Sequence, residues 1–195
     1  MSEARVAEQL GFLAEIDALK SVVRQSPIAD RSRRENSAEH SWHLAMFALV
    51  LSDDEAVDTA HVIKLLLVHD IVEIDAGDVP IHGNHDRQAV EARENAAAER
   101  LFGLLPDDQA ATFAGLWREF EAAETPEARF AKTLDRLQPL LLNTLTNGGT
   151  WTENRVTERE VHERYGPTIE RGSPALWRHA KALVRRHFAD SGAQQ

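Results

Sequence analysis

The stretch LLLVHDIVEIDAGD, residues 65–78, constrains the fold more than any other. Leu65, Leu66, Leu67, Val68, Ile71, Val72 and Ile74 belong in a core, yet His69, Asp70, Glu73, Asp75 and Asp78 are set among them. An unpaired charge is costly to bury, so a chain that buries this run must bring partners to it from elsewhere. The run reads as a helix, on which adjacent residues point about 100° apart. His69 and Asp70 can then both reach one ion lying against the helix. Glu73, four residues after His69 and three after Asp70, shares their face.

Helical periodicity continues along the chain, and strand alternation is nearly absent. A first helix is predicted from about Val6 to Arg24, with Leu10, Leu13, Ile16 and Leu19 on one face. A polar, Arg-rich loop, QSPIADRSRREN, follows. Asn36 and Glu39 then have capping-box spacing and open the apolar helix AEHSWHLAMFALVLS. A third helix is expected over roughly Thr59 to Ile74, ended by Gly77 and Pro80. Others are expected over about Asp86 to Phe102, from Pro106, and from Pro126, the last bent or broken at Pro139. NGGTW reads as a turn, and shorter helices follow near Glu158–Tyr165 and Pro174–Phe188. The expected architecture is one all-α domain over 1–195, a bundle of about seven or eight helices. Its core would occupy about 6–147 and its C-terminal helices about 157–190.

Composition narrows the function. A chain of 195 residues buries a core without staples, and the absence of cysteine excludes disulfides and thiolate metal sites. The net charge of −10 argues against nucleic-acid polymers, whose affinity comes from neutralised phosphates. A small anion remains possible where a metal and arginines create a local positive field. No apolar run approaches a membrane span, and MSEARVAEQLGF lacks the basic and apolar regions of a signal peptide. A cytoplasmic location is the expectation.

Nine histidines stand out, and their placement suggests ligands for the ion. His40 and His43 lie three apart, on one face of the second helix. Asp135 sits inside FAKTLDRLQPLLL, another acid in an apolar helical run. Plainer roles exist for each. His69 can be a satisfied core histidine, one of His40 and His43 a packing residue, and Asp135 an ion-pair partner of Arg136 or Lys132. Taken together, three helices each carry a buried-looking His or Asp. Two imidazoles and two carboxylates suit a hard or borderline divalent ion and leave positions open for water and substrate.

An upstream EH, an HD pair in a helix and a distant D resemble the signature of the HD-domain metal-dependent phosphohydrolases. Three longer segments, Arg33–Met46, Leu65–Pro80 and Ala131–Asn143, are similar to the group containing bacterial 5′-deoxynucleotidases and HD-domain-containing protein 2. The resemblance also takes in Leu19, Lys20 and Arg24. It implies one divalent ion (Mn, Co, Fe, Ni or Zn) held by His40, His69, Asp70 and Asp135. It implies that Glu73 orients or activates the attacking water, that Asp78 acts near the leaving group and substrate, and that Arg24 contacts the phosphate. The plainer role for Arg24 is a cation at a helix C-terminus. His43 is not a ligand in this pattern and has a supporting role. The substrate implied is a (deoxy)nucleoside 5′-monophosphate, and the assembly implied is a homodimer. Gln25 stands where the resembled nucleotidase has an aromatic residue near the sugar, and the loop before His40 is one residue longer. The choice between ribose and deoxyribose therefore stays open.

Two rival readings share the fold. A two-metal phosphodiesterase or oxygenase needs further histidines, for which His82 and His85 of PIHGNHD are the candidates. A non-catalytic nucleotide-binding protein would keep the site for binding only. Apolar faces near Trp117 and Trp177 are candidates for a dimer surface, with ordinary core packing the plainer role for each tryptophan.

Overall fold

The computed structural model describes residues 2–53, 55–83 and 85–192, without the side chains of 191 and 192. Asn84 of PIHGNHD lies outside the described residues. The helices are α1 (Glu3–Glu15), α2 (Ser37–Leu51), α3 (Thr59–Val68), α4 (Glu73–Ala76), α5 (Arg87–Phe102), α6 (Asp107–Ala122), α7 (Pro126–Leu145), α8 (Gly149–Glu153), α9 (Glu158–Gly172) and α10 (Pro174–Gly192). Eight of these have ten residues or more, which agrees with the predicted all-α bundle. Among the described residues, β structure is confined to one antiparallel pair, β1 (Val23–Pro27) with β2 (Arg34–Asn36).

That pair corrects the first predicted helix. The α-helix ends at Glu15, a 3-10 turn covers Ile16–Ser21, and Arg24 lies on β1. Val22 and Val23 are β-branched and Pro27 lacks an N–H, so the segment favours an extended edge over a helix. The chain reverses through Arg31, in the left-handed region at φ 63°, and Ile28 N–H donates to Arg33 O. Alternation along the strand turns Arg24 inward and leaves Gln25 exposed. The expected apolar face of α1 is also corrected: Phe12 is buried, whereas Leu10 and Leu13 are exposed.

The third predicted helix is split. Helix α3 stops at Val68, and Ile71, Glu73 and Ile74 each donate to the carbonyl three residues back. His69 Nδ1 bonds Leu66 O at 2.7 Å, the carbonyl that an α-helix would offer to Asp70. The side chain thus competes with the ladder at the point where the helix tightens. Gly77, at φ 77°, caps α4 by donating to Glu73 O. Pro139, by contrast, does not break α7, and α9 runs on through Pro167 well past Tyr165.

Among the described residues, three apolar clusters hold the bundle. The first joins Phe12 to Val68, Ile71, Phe102 and Trp117, and the second joins α2, α3, α6 and α7 around Leu44, Leu65, Phe120 and Leu134. The third packs α7 on α8, α9 and α10 through Leu140, Trp151, Tyr165 and Trp177. Trp117 and Trp177 are therefore core residues and do not form an exposed face. Helix α7 is shared by two clusters, and nearly its whole circumference is buried. Polar side chains on such a helix need partners. Asp135 and Gln138 find theirs where α7 faces the HD pair.

Candidate metal centre

Helix α2 begins with the capping box predicted for it: Asn36 accepts from Glu39 N–H while Glu39 accepts from Asn36 N–H. This aligns the first turn so that His40 points inward and is fully buried. The end of α3 supplies His69 and α7 supplies Asp135. Among the described residues, His40, His69 and Asp135 each offer one ligand atom, all within 4.8 Å of one another. His40 Nε2 lies 3.0 Å from Asp135 Oδ1. Asp70 adjoins the group: Oδ1 is 2.9 Å from His69 Nε2, and Oδ2 accepts from Arg24 Nη1 at 2.9 Å.

This donor set fits a divalent cation. Since His69 Nδ1 is engaged by Leu66 O, its Nε2 is the nitrogen that faces the cluster. That atom is buried, with Asp70 Oδ1 at 2.9 Å and Asp135 Oδ1 at 3.8 Å. A buried imidazole nitrogen turned toward two carboxylates carries a proton in the metal-free protein, and a divalent ion can take that proton's place.

Arg24 gathers the acids next to this group. Besides Asp70, its Nη1 lies 3.4 Å from Asp78 Oδ1 and 3.7 Å from Glu73 Oε1. Ser37 donates to Glu73 Oε2 at 2.6 Å. Burial opposes the charged form of Asp70, but His69 and Arg24 outweigh it and bring its pKa down to about 2. Asp135 is likewise held well below the usual carboxylate range, Arg136, His40 and His69 outweighing burial. Burial also opposes an imidazolium at His69, and Asp70 and Asp135 overcome it, raising the pKa to about 10. Glu73 goes the other way: burial first, then Asp70, pushes it up to about 9. Burial, with Asp70 adding to it against Arg24, raises Asp78 as well.

The structure therefore brings His40, His69, Asp70, Asp135, Glu73, Asp78 and Arg24 together, on a strand in Arg24's case. His43 is half-buried and bonds Gln138 Nε2 at 3.2 Å. His82 turns to Tyr165, its Nε2 3.1 Å from the hydroxyl, and burial lowers its pKa to about 4. Neither His82 nor His85 belongs to the metal-ligating group. The plainer partner for Asp135 is also present: Arg136 Nη1 bonds Oδ2 at 3.2 Å, while Lys132 pairs with Glu121. Sequence reasoning missed Glu35, Ser37 and Gln138. The first two precede His40 in ENSAEH and the third follows Asp135 by three, a helical turn that signals a shared face. A cavity of about 60 Å³ adjoins Arg24, Asp78, His82 and Tyr165, and Val79, Pro80, Ile81 and Arg136 also border an open cleft of about 1190 Å³.

A helical bundle that converges two histidines and an aspartate from three helices, with a second aspartate adjoining, defines the class to which comparison assigns it. The chain belongs to the HD domain family, whose model matches residues 16–177. It is 32% identical over 133 residues to 5′-deoxynucleotidase HDDC2 of Homo sapiens, covering 68% of this chain and 65% of that protein. The chain thus spans slightly less than two thirds of the human relative's length. The 5′-deoxynucleotidase YfbR of Salmonella arizonae is 29% identical over 136 residues, 62% of this chain and 68% of that one. The crystal structure of a "predicted metal-dependent phosphohydrolase" from Magnetospirillum magnetotacticum MS-1 is 53% identical, with a TM-score of 0.89 over 96% of this chain and 97% of that chain. No helix among the described residues is long and apolar enough to cross a membrane.

Proposed function

We propose that this protein hydrolyses (deoxy)nucleoside 5′-monophosphates to nucleoside and phosphate at a single divalent metal centre. The observation that carries the reading is the buried Nε2 of His69 facing His40 and Asp135, with the largely buried Arg24 beside the group. The relatives named 5′-deoxynucleotidase support the substrate class. His40, His69, Asp70 and Asp135 hold the ion. Bound there, a divalent ion supplies Lewis acidity, polarising a phosphoryl oxygen and making water more acidic.

The chain's own residues do the rest. Glu73 takes the proton from the water that attacks phosphorus, while Ser37 fixes the orientation of its carboxyl group. Arg24 moves from its carboxylates to the phosphoryl oxygens, which its planar fork matches. The bond between phosphorus and the 5′-oxygen breaks, and Asp78, whose pKa burial raises, delivers a proton to that oxygen. The nucleoside extends along Val79–Ile81 and Arg136 into the open cleft.

We also read the protein as a homodimer. Trp42, Met46, Leu49 and Val50 form an exposed apolar stripe along the outer face of α2, an uncommon feature on a free surface. The activity is tested with ribo- and deoxyribonucleoside 5′-monophosphates, each with Mn²⁺, Co²⁺, Ni²⁺ or Zn²⁺, following released phosphate. The expected result is metal-dependent turnover of 5′-monophosphates and none of 3′-monophosphates. No turnover with any ion would contradict the reading.

A further inference from the structure

Behind His40, on the side away from the other ligands, lie three side chains to which the proposed reaction gives no task. Gln138 and His40 are fully buried and Glu35 is 3% exposed. Gln138 Nε2 donates to Glu35 Oε1 at 2.6 Å and to His43 Nδ1 at 3.2 Å. Gln138 Oε1 is 3.2 Å from His40 Nδ1. Glu35 Oε2 is 3.4 Å from the same Nδ1 and has no hydrogen-bond partner of its own. The nearest cation to it is Arg24, whose Nε, also unbonded, is 3.8 Å away.

The contacts around Gln138 allow one orientation of its amide. A carboxylate offers only acceptors, so the group that Gln138 turns toward Glu35 must be its NH₂. The amide oxygen then faces His40, and an oxygen acceptor requires a proton on Nδ1. With Nδ1 so engaged, Nε2 is the nitrogen that faces the cluster; in the metal-free protein it donates to Asp135 Oδ1 at 3.0 Å, the contact that an ion would replace. Reversing the amide would set NH₂ toward Nδ1 and an oxygen against a carboxylate in a dry interior, two errors at once.

We propose that Glu35 is a positioning residue which, through Gln138, holds the proton of His40 on Nδ1 and so presents Nε2 to the metal. The proposal rests on the reading of His40 as a ligand and deepens it: the strength of the metal site is set in part by a carboxylate that does not touch the ion. Hydrogen bonds behind a ligand histidine affect its orientation and basicity, and their loss costs about 10–100-fold in metal affinity.

The test is calorimetric titration of metal-free protein with Co²⁺, comparing the parent with E35Q and with the double variant E35Q/Q138E. E35Q leaves a side chain that can turn either its oxygen or its NH₂ toward Gln138, so the Gln138 amide is no longer held one way and affinity should fall by about 10–100-fold. The double variant moves the carboxylate one step along. It accepts directly from His40 Nδ1, and the new amide at 35 donates to it, so affinity should return to within a few-fold of the parent. A residue that merely fills space predicts a lower melting temperature without either change. An E35Q affinity within twofold of the parent, or no recovery in the double variant, overturns the proposal. Should E35Q fail to fold, ¹⁵N spectra of the parent imidazoles decide. Nδ1 of His40 should carry a proton with or without metal, and an unprotonated Nδ1 overturns the relay. A parent that binds no Co²⁺ contradicts the metal-centre reading, while the spectrum still decides the relay.

Discussion

Glu73 is pulled in opposite directions by its surroundings. Burial and the charges of Asp70 and Asp78 favour its neutral form, while Arg24 and the Ser37 hydroxyl favour the carboxylate. In the metal-free protein the first set wins, and its pKa of about 9 leaves it protonated at neutral pH. A base must be ionised, and a cation among His40, His69 and Asp135 offsets the charge of Asp70 and favours that state. Glu73→Gln keeps the shape and the approach to Ser37 but cannot take a proton. It should retain a stoichiometric ion by elemental analysis and lose on the order of 10² or more in kcat. Asp135→Ala, in contrast, should lose the ion itself. If Glu73→Gln turns over substrate within a few-fold of the parent, the proton goes elsewhere.

At the scale of elements, α2 performs two tasks on two faces. Its inner face buries His40, Leu44 and Ala48, and its outer face exposes Trp42 at 63% and Val50 at 67%. Under the dimer reading, Trp42→Glu should convert a particle of two chains into one of a single chain by light scattering at micromolar concentration. Its melting temperature as a monomer should change little, since Trp42 packs against little within the chain. A parent with the mass of one chain would sink the dimer. The inner face was legible in the sequence because a helical period and a capping box leave local marks: Asn36 with Glu39, and His40, Leu44 and Ala48 at intervals of four. The same logic made α5, α6 and α7 and the convergence of His40, His69 and Asp135 readable. It failed where a non-local or side-chain effect decided the outcome. Leu10 and Leu13 share a face, but periodicity does not say whether that face meets the core. Periodicity carries the first helix on to Arg24 because the pairing of β1 with a three-residue partner across an Arg-rich reversal leaves almost no strand pattern. The break after Val68 comes from one imidazole taking one carbonyl. Pro139 removes a single N–H from a helix packed on both sides, and that packing outweighs the loss.

For the whole molecule, the acids that make the centre also tie its stability to pH and to the ion. In the metal-free state Glu73 and His69 both titrate above their ordinary values, near 9 and near 10. Between the ordinary carboxyl range and pH 9, Glu73 is protonated when folded and ionised when unfolded, so its contribution becomes less favourable as pH rises. The contribution of His69 is full below its unfolded value of about 6.5 and is lost as pH climbs toward 10. Both terms run the same way, because the folded state binds more protons across this window. The depressed Asp70 and Asp135 act only in acid, stabilising above the unfolded carboxyl value and losing that effect as pH falls through their folded ones. Metal-free protein should therefore lose thermal stability steadily from about pH 6 to pH 9. An ion at His69 Nε2 must displace the proton there, so binding releases protons and strengthens as pH rises. The increase in melting temperature with excess Co²⁺ or Mn²⁺ should then be larger at pH 8.5 than at pH 6.5. At a free ion concentration of about 100 Kd the stabilisation is about 2.7 kcal/mol. Titrations at pH 7.5 in buffers of different ionisation enthalpy should report net proton release per ion bound. A zero proton count, or a stabilisation independent of pH, would mean that the ion binds away from His69 and that the buried imidazole keeps its proton for a structural reason.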